Sequence, residues 1–172
     1  MDKLPKLIIQ ELLEFRESQE LLVQHYQNKE NLEMAYLTRW SILEKLVKTV
    51  ASEFRRQSLI SSLHAWLAYA TKGKQQPSKN PNTAIELKVL PKKGEFIASL
   101  NQYGLLGQDV WLVVDSNGRH RRNRNEIAHT GKKFINYLAY MKLMTEMSEI
   151  INRVYSKIEP NKRIQRTQKT RR

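Results

Sequence analysis

The stretch NLEMAYLTRWSILEKLVKTVASEFRR, residues 31–56, decides the fold, because its apolar positions recur at helical spacing over seven turns. The sequence therefore predicts a long helix with a broad apolar face. This helix and the helices predicted on either side of it could bury one another in a bundle. The residues that make its face are Leu32, Ala35, Leu37, Ile42, Leu43, Leu46, Val47, Val50 and Phe54.

The segments on either side supply the covering elements. Residues 4–26 predict an amphipathic helix with an acidic side, and residues 58–70 predict a third, shorter helix. Residues 95–103 and 134–158 are also helical in pattern, and VWLVV at 110–114 is interpreted as a buried helix in this context. AIELKVL at 84–90 alternates well enough for a short strand, although one isolated strand would have nothing to pair with. The prediction is an all-α bundle of four to six helices.

The length of 172 residues predicts one compact domain over residues 1–158, with an exposed loop at about 71–83. Residues 159–172 form a basic tail, which we expect to be disordered in isolation and able to bind phosphates. The absence of cysteine excludes disulfides and thiolate metal sites. No signal peptide and no run of about 18 apolar residues is evident, so we expect a cytoplasmic protein without a membrane partner.

The charge balance points to a polyanionic partner. Lys and Arg number 30 against 17 Asp and Glu, which gives a formal charge of +13. Nucleic acid is the commonest polyanion in a cytosol and is therefore the expected partner. An acidic protein partner and a charge that serves only solubility remain alternatives.

Much of this charge lies in RHRRNRNEIAHTGKK, residues 119–133. Asn123 and Glu126 resemble a capping box, which predicts a helix that begins at Arg124, and Gly131 is placed to end that helix. His129 would lie near its C-terminus. The ordinary pKa of a histidine lets it accept and donate a proton near neutrality. Arginine can hold a phosphate through paired hydrogen bonds.

The spacing of Arg124 and His129 constrains how they could act together. Five residues on a regular helix place the two side chains about 140° apart. They meet only if Arg124 sits on an irregular first turn, or if two copies of the motif face each other across a dimer axis. Arg122, seven residues before His129, is a second candidate for the active arginine.

RNEIAH, residues 124–129, resembles the R-x4-H signature of HEPN-domain ribonucleases. In that family a polar residue follows the arginine and a small or apolar residue often precedes the histidine, as Asn125 and Ala128 do here. RWSILEKLV, residues 39–47, is similar to the Arg-then-Glu pattern of HEPN helices and nominates Glu44 as a supporting acid. The resemblance covers roughly residues 30–158, and its specific part is the six-residue core.

The resemblance implies a helical bundle that dimerises with its motifs facing and cleaves RNA through the 2′-hydroxyl, without a metal or another cofactor. His129 would be the general base or acid, Arg124 the phosphate clamp, and Asn125 would orient one of them. Many such proteins are toxins with an antitoxin or regulatory partner, or antiviral effectors. Toxins paired with a nucleotidyltransferase antitoxin usually carry tyrosine two residues after the histidine, where this chain has Gly131.

Two non-catalytic hypotheses compete with the ribonuclease. In a nucleic-acid-binding module the basic side chains only neutralise phosphates, and in a protein-interaction module the motif has no chemical role. A metal site is not expected, because no two of the four histidines have the i, i+4 spacing of a metal-binding helix. The side chains predicted to bind RNA are Arg119, Arg121, Arg122, Lys132 and Lys133.

Overall fold

A computed structural model describes residues 2–115 and 118–159, and the regular elements within these ranges are six α-helices. They are α1 (Lys6–Asn28), α2 (Leu32–Lys72), α3 (Lys93–Gln102), α4 (Gly107–Asp115), α5 (Arg119–Thr130) and α6 (Tyr137–Ile158). The described residues contain no strand, so the predicted all-α class is confirmed. The predicted basic tail lies outside the described residues, apart from Glu159.

Helix α2 lies at the centre of the bundle and contacts α1, α3, α5 and α6. Its first half is buried, and Leu46, Val47 and Val50 have no exposed surface. The opposing faces contribute Leu12 from α1 and Met147 from α6, both fully buried. The core therefore lies between the first half of α2 and the helices around it, and most of the apolar face predicted for residues 31–56 is buried in it.

Helix α2 does not end near residue 56 as predicted but continues to Lys72, for 41 residues in all. No glycine or proline interrupts the sequence there. Arg56 and Gln57 both donate hydrogen bonds to the Glu53 carboxylate one turn earlier, which supports the continuous helix. The two predicted helices at residues 31–56 and 58–70 are therefore one helix, which ends at Gly73 with a left-handed φ of 59°.

The strand-like alternation at residues 84–90 does not form a strand. These residues belong to the long connection between α2 and α3, which runs back alongside α2. Side chains of α2 satisfy its carbonyl groups: Lys48 donates to the Lys88 oxygen at 3.0 Å, and Arg55 to the Ala84 oxygen at 3.3 Å. No neighbouring strand is present in the described part of the chain, so the alternating pattern has nothing to pair with.

Helix α5 begins at Arg119, so the start predicted at Arg124 is wrong and Asn123 lies inside the helix. The residue before α5 is Gly118, with a φ of 64°, and Gly131 ends the helix as predicted, with a φ of 67°. The helix at 110–114 is confirmed as α4, and the last helix begins at Tyr137 after a short loop. Within the described ranges, no helix combines the length and apolar character that crossing a bilayer requires.

Candidate functional site

The structure holds Arg124 and His129 on one regular helix. Because α5 starts at Arg119, Arg124 is the sixth residue of the helix and not part of its first turn. Regular geometry therefore keeps the two side chains about 140° apart around the axis. Arg124 is half-buried near the side that carries buried Ile127, whereas His129 is exposed. One copy of the chain does not bring this arginine and this histidine together.

Asn125 lies between these two side chains. Its side-chain oxygen accepts a hydrogen bond of 3.1 Å from Arg124 Nη1. Asn125 is also one helical turn before His129, which places the two about 40° apart on the exposed side. Arg122 lies on the same side, about 20° from His129 around the axis. Arg122, Asn125 and His129 therefore form an exposed stripe, and Asn125 connects it to Arg124.

Glu44 lies on α2 opposite Arg124. Its carboxylate accepts hydrogen bonds from Trp40 Nε1 at 2.9 Å and from Lys48 Nζ at 2.8 Å, and Arg124 Nη2 lies 3.8 Å from Oε2. Burial raises the pKa of Glu44, but the bonds from Lys48 and Trp40 and the charges of Lys48 and Arg124 together hold that pKa below its usual value. Glu44 is therefore ionised at neutral pH and attracts the Arg124 guanidinium.

A cavity of about 240 Å³ lies between α2, α5 and the connection at residues 88–90. It brings predicted site residues Glu44, Arg124, Asn125 and Arg121 together, while His129 is not among the residues that line it. Two guanidinium groups and an amide beside one carboxylate can hold an anionic group at the rim of the cavity. The lining residues are Trp40, Glu44, Lys88, Val89, Leu90, Arg121, Arg124 and Asn125.

Four of the five cations predicted to bind RNA have protein carboxylates as neighbours. Arg119 pairs with Glu146, Arg121 with Asp115 at 3.3 Å, Lys132 with Glu126, and Lys133 with Glu33 at 3.4 Å. Lys133 is the most exposed of these four, at 79% of its side chain. Part of the positive charge of residues 119–133 is thus offset locally, and an RNA phosphate must compete with these carboxylates.

Sequence reasoning missed the group that fixes the first half of α5. His120 is buried, and its Nδ1 lies 3.2 Å from the Tyr36 hydroxyl of α2 while its Nε2 lies 3.0 Å from Glu146 Oε2 of α6. The Tyr36 hydroxyl also donates to the His120 carbonyl oxygen at 3.0 Å. Burial lowers the pKa of His120, although Glu146 opposes the shift. This network joins α5 to α2 and α6 and thereby positions the motif.

Lys48 and Trp40 were also missed as partners of Glu44. Their spacing of four residues on either side of Glu44 is visible in the sequence and places all three on one helix face. The contacts of His120 carry no such local signal, because Tyr36 and Glu146 are 84 and 26 residues away along the chain.

The described residues hold no cluster of three or more His, Cys, Asp or Glu side chains that could bind a metal ion. In comparisons with known proteins, no family model, no curated protein and no solved structure matches this chain. The relation to HEPN ribonucleases therefore stays a prediction that rests on residues 124–129 and their setting.

Proposed function

We propose that this protein is a HEPN-like, metal-independent endoribonuclease that acts as a homodimer with a composite active site. The observation that carries the proposal is the separation of Arg124 and His129 on a regular helix, with His129 exposed. A single copy offers an exposed histidine on one side of α5 and an arginine held by Glu44 on another. Two α5 helices that face each other bring the histidine of one copy to the arginine of the other.

The chemistry assigned to these groups is transfer of the RNA phosphodiester to its own 2′-hydroxyl. His129 as general base takes the 2′-hydroxyl proton, the 2′-oxygen attacks phosphorus, and the bond from phosphorus to the 5′-oxygen breaks. The leaving 5′-oxygen then receives a proton from the same His129, which the first transfer has protonated and which now acts as the acid. Arg124 binds the phosphate oxygens, where charge develops in the transition state. The products are a 2′,3′-cyclic phosphate and a 5′-hydroxyl.

Asn125 and Glu44 position these groups in the proposal. Asn125 accepts a hydrogen bond from Arg124, and Glu44 attracts the same guanidinium from α2. The formal charge of +13 draws RNA to the chain. The setting that we propose is a bacterial toxin or antiviral effector in the cytoplasm, restrained by an antitoxin or another regulatory protein.

Cleavage of a mixed RNA pool in EDTA tests the proposal. We expect the wild-type protein to cut and to leave cyclic phosphate ends, and His129→Ala and Arg124→Ala each to lose at least a hundredfold in rate. His25→Ala and Arg153→Ala are matched controls, because both side chains are exposed on other helices. Equal cleavage by His129→Ala and His25→Ala would contradict the assignment.

The second candidate is a non-catalytic module that binds nucleic acid or a protein. It is favoured by the same separation of Arg124 and His129, because a monomer then has no site that contains both the arginine and the histidine. In that case all variants leave RNA intact, and His129→Ala retards RNA in a low-salt gel as strongly as the wild type does.

A further inference from the structure

The second half of α2 extends beyond the core of the bundle. Every buried residue of α2 lies between Ala35 and Glu53, and none lies in the remaining nineteen residues of the helix. We name residues 57–72 the α2 arm. It is part of one continuous helix, so its direction is fixed by the buried half.

The arm carries an apolar seam on the side that faces away from the core. Ile60, Leu63, Leu67 and Ala70 follow one another at spacings of three, four and three residues, which is the pattern of a coiled-coil contact. Leu63 is 49% exposed and Leu67 is 60% exposed. Leu63 lies twenty residues after buried Leu43, which places it about 160° away around the axis. The apolar side of α2 thus changes from the core to solvent along its length.

The connection that follows the arm covers only one flank of it. Trp66 Nε1 donates to the Lys79 carbonyl oxygen at 3.1 Å, so the connection lies beside Trp66. Leu63 and Leu67 stay exposed in its presence. Exposed leucines at successive turns of one helix are typical of a surface that meets a partner.

Charge indicates what kind of partner fits. Residues 57–71 contain no Asp, Glu, Lys or Arg, although such residues make up 27% of the chain. A nucleic acid or a strongly acidic protein would find no cation there to pair with. A second arm can pack against this seam without burying a charge on either side, which matters because two copies of a chain at +13 repel elsewhere.

The seam is also complementary to itself. When two arms run antiparallel with the two-fold axis level with residue 65, Leu63 of each copy lies opposite Leu67 of the other, and Ile60 lies opposite Ala70. Large residues then meet in the middle, and a large residue meets a small one at each end, as an isologous contact requires. We propose that the α2 arms of two copies pair antiparallel through Ile60, Leu63, Leu67 and Ala70.

The contact is short, since residues 57–71 span only about 22 Å of helix. It falls below the roughly 800 Å² per partner of a standard stable interface, so the pairing is weak and depends on concentration. It is a second self-contact, distinct from the facing of α5 helices in the proposed ribonuclease, and it does not involve residues 119–133.

Sedimentation of the full chain between about 10 and 300 µM tests the pairing. We expect the weight-average mass to rise above the 20.3 kDa of one chain, and the double variant Leu63→Glu/Leu67→Glu to lose at least tenfold in association. Ser61→Glu/Ala65→Glu is the matched control, because both residues are exposed on the other side of the same arm. A wild type that stays monomeric at every concentration, or equal association in the two double variants, would overturn the proposal and leave the seam to a different partner.

Cross-linking tests the antiparallel register. The chain has no cysteine of its own, so any disulfide must form between the introduced cysteines. An equimolar mixture of Leu63→Cys and Leu67→Cys chains should form a disulfide-linked dimer under mild oxidation much faster than either chain alone. The pair Ser61→Cys with Ala65→Cys should form little. Faster linkage of Leu63→Cys to itself would contradict the antiparallel register. RNA cleavage enters neither readout, and residues 119–133 are unchanged in every variant. A dimer formed through α5 would therefore contribute equally to both double variants and to all cysteine variants, so the differences between them report on the seam alone.

Discussion

Replacing Tyr36 with Phe tests whether the buried network holds α5 in place. Tyr36 has no exposed surface, and its hydroxyl is the group of α2 that contacts both the carbonyl oxygen and Nδ1 of His120. The substitution keeps the aromatic ring and removes only the oxygen. It therefore leaves two polar atoms of α5 without that partner in a site closed to water.

The expected cost follows from that burial. Leaving a buried polar group unsatisfied costs about 1–3 kcal/mol, so we expect the free energy of unfolding to fall by about 2 kcal/mol. Tyr155 provides a matched control on α6. It is equally buried, but its hydroxyl makes no hydrogen bond to any residue that the structure describes. Tyr155→Phe should therefore change the stability by less than about 0.5 kcal/mol or increase it.

Equilibrium urea unfolding of the three proteins measures both changes. With an m-value of about 2 kcal/mol/M, Tyr36→Phe should lower the midpoint by about 1 M while Tyr155→Phe leaves it almost unchanged. An equal loss in the two variants would refute the claim that the Tyr36 hydroxyl stabilises α5 through His120.

Three further predictions concern pH, the Glu44 contact and salt. Burial holds the folded-state pKa of His120 below its ordinary value of 6.5. The stability linked to this shift is present above pH 6.5 and is lost as the pH falls through the lowered pKa. The free energy of unfolding should therefore be smaller at pH 5.5 than at pH 7.5, and His120→Gln should make this difference smaller. Glu44→Gln should slow RNA cleavage about tenfold by loosening Arg124, without weakening RNA binding, and identical rates would exclude a positioning role. Lys133→Ala should reduce the slope of log affinity for single-stranded RNA against log salt by about 0.7 if Lys133 meets a phosphate, and an unchanged slope would show that it does not.

The sequence predicted the features that follow from a long run of apolar residues at helical spacing or from the preference of a single residue. The core face of residues 31–56, the final helix and the end of α5 at Gly131 all follow from spacing or from a residue preference that holds without tertiary contacts. Short patterns were less informative, because contacts with distant parts of the chain decide what they form. The alternation at 84–90 resembles a strand, but α2 side chains and not a neighbouring strand satisfy its carbonyls.

In the candidate site, too, some features could be predicted from the sequence and others could not. The divergence of Arg124 and His129 follows from helix geometry alone, and the structure places both on one regular helix. The start of α5 could not be predicted, because the anchoring of His120 depends on Tyr36 and Glu146 on distant helices. The capping pattern at Asn123 was misleading because the helix already begins at Arg119, one turn earlier, where His120 contacts Tyr36 and Glu146.

The most direct test of a composite ribonuclease site is a mixing experiment with two inactive variants. His129→Ala and Arg124→Ala chains are unfolded together, refolded at a one-to-one ratio and assayed on RNA in EDTA. In a mixed dimer one site loses both groups and the other retains both, so random pairing should restore about a quarter of the wild-type rate. Restoration to that level, with neither variant active alone, is the result that the account predicts. A mixture as inactive as its components, beside an active wild type refolded in the same way, would contradict it.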